Sequence, residues 1–171
     1  TIKSFVPTDE ASIEQEQLSF ILGKNYLVSF QERNAAYFDH IRDRLRNNTG
    51  IVRERGADFL LYLLLESILD NYFITLSHIE KNINEISNLD LSSDPSPEII
   101  STIEKRKKQL HHIKKAILPI KEFIGKIERE NFNFIHEKHI KYYFELKDLC
   151  LTLLDECDQM ELILESKTNL F

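Results

Sequence analysis

Two carboxylates, Glu66 and Asp70, stand one helical turn apart in the apolar run GADFLLYLLLESILDNYF, residues 56–73. Like charges at i, i+4 destabilise a helix by about 0.2–0.5 kcal/mol, and by more where water is scarce. Something cationic should answer them. An Arg or Lys from a neighbouring helix would do so, as would water alone. A hard divalent cation is the sharper alternative, because Mg2+ prefers carboxylate oxygens while keeping several of its own waters. Carboxylates of this kind could also face one another across a subunit boundary. The stripe that carries the pair is Phe59, Leu63, Glu66, Asp70, Phe73, Ser77 and Glu80, at 4-3-4-3-4-3 spacing. Beside it runs a more consistently apolar stripe of Leu61, Leu65, Ile68, Tyr72, Ile79, Ile83 and Ile86.

Other residues capable of chemistry are less specific. Glu145, Asp148, Asp155, Glu156, Asp158, Glu161 and Glu165 cluster near the C-terminus, where most read as a solvated helix face. Lys105, Arg106, Lys107, Lys108, Lys114, Lys115, Lys121 and Lys126, with His111 and His112, form a basic stretch. Nucleic-acid binding would want a basic domain with aromatic or glycine-rich surroundings, so balance against acidic neighbours is the better reading. His136 and His139 are spaced H-E-x-H, which does not put two imidazoles on one helical face as H-E-x-x-H does. They read as surface histidines at a helix start. Cys150 and Cys157 lie about 10.5 Å apart along a helix, beyond the roughly 7 Å limit for a disulfide. They read as buried free thiols of a reducing compartment. No phosphate-binding glycine loop, G-x-S-x-G or C-x-x-C occurs, and catalysis has no foothold.

The elements that must position these groups are mostly helices. A hairpin is predicted with strands near 16–22 and 26–32 around Gly23-Lys24-Asn25, with IKSFV as a third strand. A sheet so small is marginal alone, so it must pack on helices or belong to a larger sheet. RNAAYFDHIRDRLRNN is a short amphipathic helix that stops at Asn48-Thr49-Gly50. A long helix is expected from Ala57 to Ser87, then a linker over 87–97. A second long helix opens at Ser96-Pro97-Glu98 and runs to Glu130, with a kink expected at Pro119. A final helix starts near Glu137. Its seam of Tyr143, Leu146, Cys150, Leu153, Cys157, Met160 and Leu164 follows 3-4 spacing through three heptads.

Composition agrees. The chain has 171 residues, 42% hydrophobic and 29% charged, with only four glycines and four prolines. That suits one domain with a real core and long helices rather than a turn-rich β fold. A net charge of −6 disfavours nucleic acid as a partner. No apolar stretch is expected to reach the roughly 20 residues that cross a bilayer. TIKSFVPTDE has neither an initiating Met nor a secretory apolar region, so a soluble piece of something longer is expected.

Four separated segments, in order and in register, resemble the CorA family of magnesium/cobalt transporters: LSFILGKNYLVSFQE (18–32), FDHIRDRLRNNTGIVRERGADFLLYLLLESILDNYF (38–73), AILPIKEFIGKI (116–127) and FIHEKHIKYYFELKDLCLTLLDECDQME (134–161). The resemblance implies a fragment of the cytoplasmic domain, of α+β class and predominantly helical. Residues 1–50 would be the C-terminal part of an α/β subdomain. Residues 51–136 would form a long helical hairpin with its linker near 88–97, and 137–171 a stalk helix leading toward a missing membrane span.

Family members are homopentamers at the cell inner membrane, so the resemblance implies self-association and a cytoplasmic position for this portion. Their two membrane helices and Gly-Met-Asn pore motif lie outside this sequence, so the fragment itself would not transport. The family senses Mg2+ through carboxylates bridging adjacent protomers. Carried over by position, Glu66 and Glu145 would be regulatory metal ligands, with Asp70 an accessory carboxylate behind them. Where the best-known pattern has Asp, this chain has Glu at both positions, which favours water-mediated coordination. Mg2+ would be both regulator and cargo, with Co2+ as a second cargo, and no enzymatic activity is implied. The alternatives are a zinc-transporting relative of the same fold and a helical scaffold with no ion role.

Overall fold

The computed structural model describes residues 1–7, 13–33, 36–88, 96–130 and 132–168. Strands β1 (Ile2–Pro7), β2 (Ile13–Leu22) and β3 (Leu27–Gln31) form an antiparallel sheet in the order β1-β2-β3. Helices α1 (Asp39–Arg46), α2 (Val52–Arg55), α3 (Ala57–Ser87), α4 (Pro97–Arg129) and α5 (Ile140–Thr168) follow. The fold is therefore α+β and predominantly helical, as its sequence patterning implies.

IKSFV is a strand, and it lengthens its neighbour. β2 begins at Ile13 rather than 16 because Ser4 to Pro7 pair with Glu16 to Ile13, a cross-strand ladder that alternation within one segment cannot announce. At the hairpin, Gly23 donates its N–H to the Tyr26 carbonyl at 2.9 Å. A Cβ on Gly23 would lie 2.3 Å from the Tyr26 ring, so the residue must be glycine unless the ring moves. The outer edge of β1 is closed by α3. The Asn71 amide accepts from Phe5 N–H at 3.1 Å and donates to Phe5 C=O at 2.9 Å, while the Tyr72 hydroxyl donates to the Lys3 carbonyl. One helix turn thus replaces a β partner and blunts an edge that would otherwise invite pairing.

α3 starts at Gly56, whose φ of +88° few side chains tolerate. Its apolar stripe, Leu61 through Ile86, is buried throughout, and Leu61 to Leu65 are buried consecutively. Such all-round burial marks a helix enclosed by other elements. It also corrects the expectation about membrane-length segments: Ala57–Ile86 is long and apolar enough to cross a bilayer by length and composition, with mean hydropathy 1.5 over an 18-residue window. Two charges scattered in that window do not break its apolar average, and 67% of it is buried inside the protein, as a core helix requires.

α4 is capped as its sequence announces, with Ser96 Oγ accepting from Ile99 N–H at 3.3 Å and Pro97 in the first turn. The helix continues without a break through Pro119. Residues 89–95 of the expected linker lie outside the described residues. On α5, all seven seam positions from Tyr143 to Leu164 are buried, and they pack into one core with α3, α4 and the sheet. The basic stretch of α4 is partly answered by α5. Lys114 Nζ lies 2.7 Å from Asp158 and 3.3 Å from Glu161. From α5, Lys147 meets Glu128 at 2.9 Å.

Candidate cation site

The partner of Glu66 is neither Arg nor Lys. Its carboxylate accepts a hydrogen bond from the Tyr62 hydroxyl, 2.7 Å away and one turn earlier on α3. Among the described residues no Lys or Arg lies within 4.0 Å of either Glu66 or Asp70. Glu66 is half-buried, whereas Asp70 and Glu145 are exposed.

The Tyr62 phenol feels both candidate carboxylates, though it bonds only to Glu66. Burial, the hydrogen bond to Glu66, the Glu66 charge and the Glu145 charge together raise the Tyr62 hydroxyl above its ordinary range. Glu145 sits in the second turn of α5, so packing α5 on α3 brings both carboxylates into the surroundings of one buried phenol. Asp70 stands apart. Partial burial and then the Glu66 charge raise its carboxyl, and His40 on α1 works in the opposite direction.

The α3–α5 packing that sets this geometry is held at the N-terminal ends of both helices. Asp58 Oδ2 lies 2.6 Å from His139 Nδ1 and accepts the His136 backbone N–H at 2.9 Å. The Asp58 carbonyl accepts from the Tyr143 hydroxyl at 2.5 Å. His139 is buried, which corrects the surface reading of H-E-x-H: only His136 faces solvent. The physical reason is an acid 81 residues away that gives the imidazole a partner inside the core. Beside this junction, Phe59, Tyr62 and Tyr142 stack with centroids 5.2–5.5 Å apart. Arg55 lies over the Phe59 and Tyr142 rings and donates to the Tyr142 hydroxyl at 2.8 Å.

The donor set has a definite chemistry. Among the described residues no three His, Cys, Asp or Glu gather into a metal-binding group. Two carboxylates of one chain suit a hydrated hard cation that needs few protein ligands. A closed structural zinc site would instead want four ligands, mostly Cys and His. Cys150 and Cys157 are buried free thiols, each pushed up to about 12 by burial, and both sit in the apolar seam of α5. A cavity of about 390 Å3 between the sheet, α3 and α4 is lined by Phe20, Leu61, Leu65 and Phe123, and it excludes Glu66 and Glu145.

Tyr62, Asp58 and His139 carry roles that the sequence did not assign. Tyr62 could have been found from its Tyr-x-x-x-Glu spacing, which places donor and acceptor on neighbouring turns. Nothing local could have paired Asp58 with His139.

Comparison with known proteins gives a consistent result. A family model described as CorA-like Mg2+ transporter protein matches residues 1–171. The chain is 32% identical over 143 residues to the cobalt/magnesium transport protein CorA of Thermotoga maritima, covering 84% of this chain and 40% of that protein. It is also similar in fold to the soluble domain of CorA from Methanocaldococcus jannaschii, with TM-score 0.82 and 20% identity over 98% of this chain and 67% of the other. The complete CorA magnesium transporter of the same organism superposes with TM-score 0.84 and 19% identity, covering 99% of this chain and 53% of the other.

Proposed function

The chain belongs to the family of CorA-like Mg2+ transporter proteins, and from that premise we propose that it is the cytoplasmic regulatory part of a transporter for Mg2+ and Co2+. It spans 40% of the Thermotoga relative, so transport itself belongs to a longer protein. In this reading residues 1–50 complete an α/β unit, 51–136 form the helical hairpin and 137–171 lead toward the inner membrane as a stalk. The exposed apolar face of the hairpin, with Tyr26 at 58% and Phe30 at 56%, supports the first assignment, since a sheet face of this kind needs a cover.

Glu66 and Glu145 act as sensors of cytoplasmic Mg2+ where adjacent copies of a homopentamer meet, and Asp70 adds charge behind Glu66. With no cation between them, facing carboxylates repel and the subunits separate. With the repulsion neutralised, the closed arrangement is favoured, and linkage makes cation affinity and closure reciprocal. What supports this reading is that Glu66 and Glu145, the two positions the resemblance singles out, keep solvent-reachable carboxylates on two helices, α3 and α5, that pack against each other. The test is Mg2+-dependent protection from proteolysis in the full-length protein and in a Glu66→Ala/Glu145→Ala variant. Protection is expected in the first and loss of it in the second; equal protection in both overturns the assignment.

A further inference from the structure

We propose that the exposed basic face of α4 is a docking surface for anionic phospholipid headgroups. The proposal rests on the reading of α5 as the helix that leads toward the membrane. Residues 105–121 carry seven Lys or Arg and no Asp or Glu, in a chain whose net charge is −6. Part of this run is answered within the protein. Arg106 is buried, Lys107 lies 3.6 Å from Glu104, and Lys114 meets Asp158 and Glu161 on α5. Lys105, Lys108 and Lys115 are exposed, and among the described residues none of them has a carboxylate within 4.0 Å. His111 and His112 stand exposed between them.

Helix packing sets where this face lies. α3 and α5 start together at the Asp58–His139 contact and run the same way, with Glu80 of α3 acting on Glu156 of α5 further along. α4 runs against them, since Glu128 meets Lys147 and Lys114 meets Asp158. Lys105 and Lys108 therefore lie level with α5 beyond Asp158, toward the end that the proposed reading gives to the membrane. An anionic leaflet favours each Lys or Arg near its surface by about fivefold in affinity. Two features favour lipid over free phosphate or nucleic acid. Ile100 and Leu118, 44% and 45% exposed, share one helical stripe with Lys108 and Lys115, so apolar groups flank the cations as at a headgroup–acyl boundary. No Phe, Tyr, Trp or Gly occurs in residues 100–121, so the face offers no platform on which bases stack.

The test is co-sedimentation of the 171-residue chain with vesicles of phosphatidylcholine alone and of phosphatidylcholine and phosphatidylglycerol in equal parts. Binding is expected only to the second, and it should be lost in about 1 M NaCl, where the screening length falls to about 3 Å. Lys105→Gln/Lys108→Gln/Lys115→Gln should lower the partition coefficient about a hundredfold. Lys24→Gln/Lys138→Gln/Lys141→Gln removes the same charge from the hairpin and the start of α5, and it should leave the coefficient nearly unchanged. All six lysines are exposed, so both variants should keep the parent's circular dichroism. An equal fall in the two variants makes net charge the cause and overturns the surface, as does equal binding to both vesicles. Displacement by sodium pyrophosphate at matched ionic strength, or tighter binding to a duplex oligonucleotide, overturns the choice of lipid. Mg2+ uptake by the full-length protein in the same vesicles separates the two readings. Uptake without binding by the chain overturns this surface alone, and binding without uptake overturns the transporter reading while the surface stands.

Discussion

Asp58 does more for the arrangement of the site than its position suggests. Its side chain satisfies two donors at the start of α5, and its carbonyl satisfies a third. All of this happens in a pocket where Asp58 and His139 are each 7% exposed. Removing one partner of a buried polar cluster leaves the others desolvated, at about 1–3 kcal/mol for each unsatisfied group. Asp58→Ala is therefore expected to lower the free energy of unfolding by about 2–4 kcal/mol, read from the urea midpoint at unchanged slope. Tyr62 shows a different logic at the same scale: its hydrogen bond to Glu66 is local and spans a single helical turn.

Among the helices, α5 joins packing and chemistry through its two faces. The inward face is the Tyr143–Leu164 seam, and the outward face carries Glu145 and most of the other acids. Salt bridges such as Lys114–Asp158 are about one-third to three-fifths exposed on their side chains, so each adds about 0–1 kcal/mol. The seam decides the stability, because a buried Leu lost to Ala costs about 2–5 kcal/mol. The two thiols in it give a pH signature. Burial raises each from 9.0 to about 12 in the folded chain. The native state holds protons that the unfolded chain has released, so this contribution is intact below about pH 9 and is lost as pH rises toward 12. Two observations should follow: native Cys150 and Cys157 resist iodoacetamide at pH 8.5 and react fully in urea. Stability should also decline through the window from 9 to 12, with Cys150→Ala/Cys157→Ala showing a shallower decline.

At the scale of the whole molecule, the proposed reading makes the single chain an incomplete binding unit. It presents two carboxylates near one phenol, and no three potential metal ligands gather among the described residues. The sensing site in the proposed reading is finished by the adjacent copy, so cation binding and assembly are linked. MgCl2 should raise the melting temperature of the full-length protein and move that of the isolated 171-residue chain by less than about 2 °C. Differential scanning calorimetry of both, with CaCl2 in parallel, checks this. Equal shifts in both would place the binding site within one chain and remove the subunit boundary from the mechanism.

Local order is what the sequence by itself determined. The α3 boundaries, the Ser96 cap of α4 and every buried position of the α5 seam follow from helical spacing and capping chemistry, which act within a turn or two. The register of family-like segments is what singles out Glu66 and Glu145 as the proposed sensing carboxylates. Tertiary structure alone decided the rest. It drew β2 back to Ile13, buried His139 against Asp58, enclosed an apolar helix of membrane length inside a core, and brought Glu145 toward the phenol that already held Glu66. The first depends on strand partners six to twelve residues away, and the others on partners tens of residues away. A carboxylate's meaning is set by the donor or charge that meets it in space, and spacing along one helix records only half of that encounter.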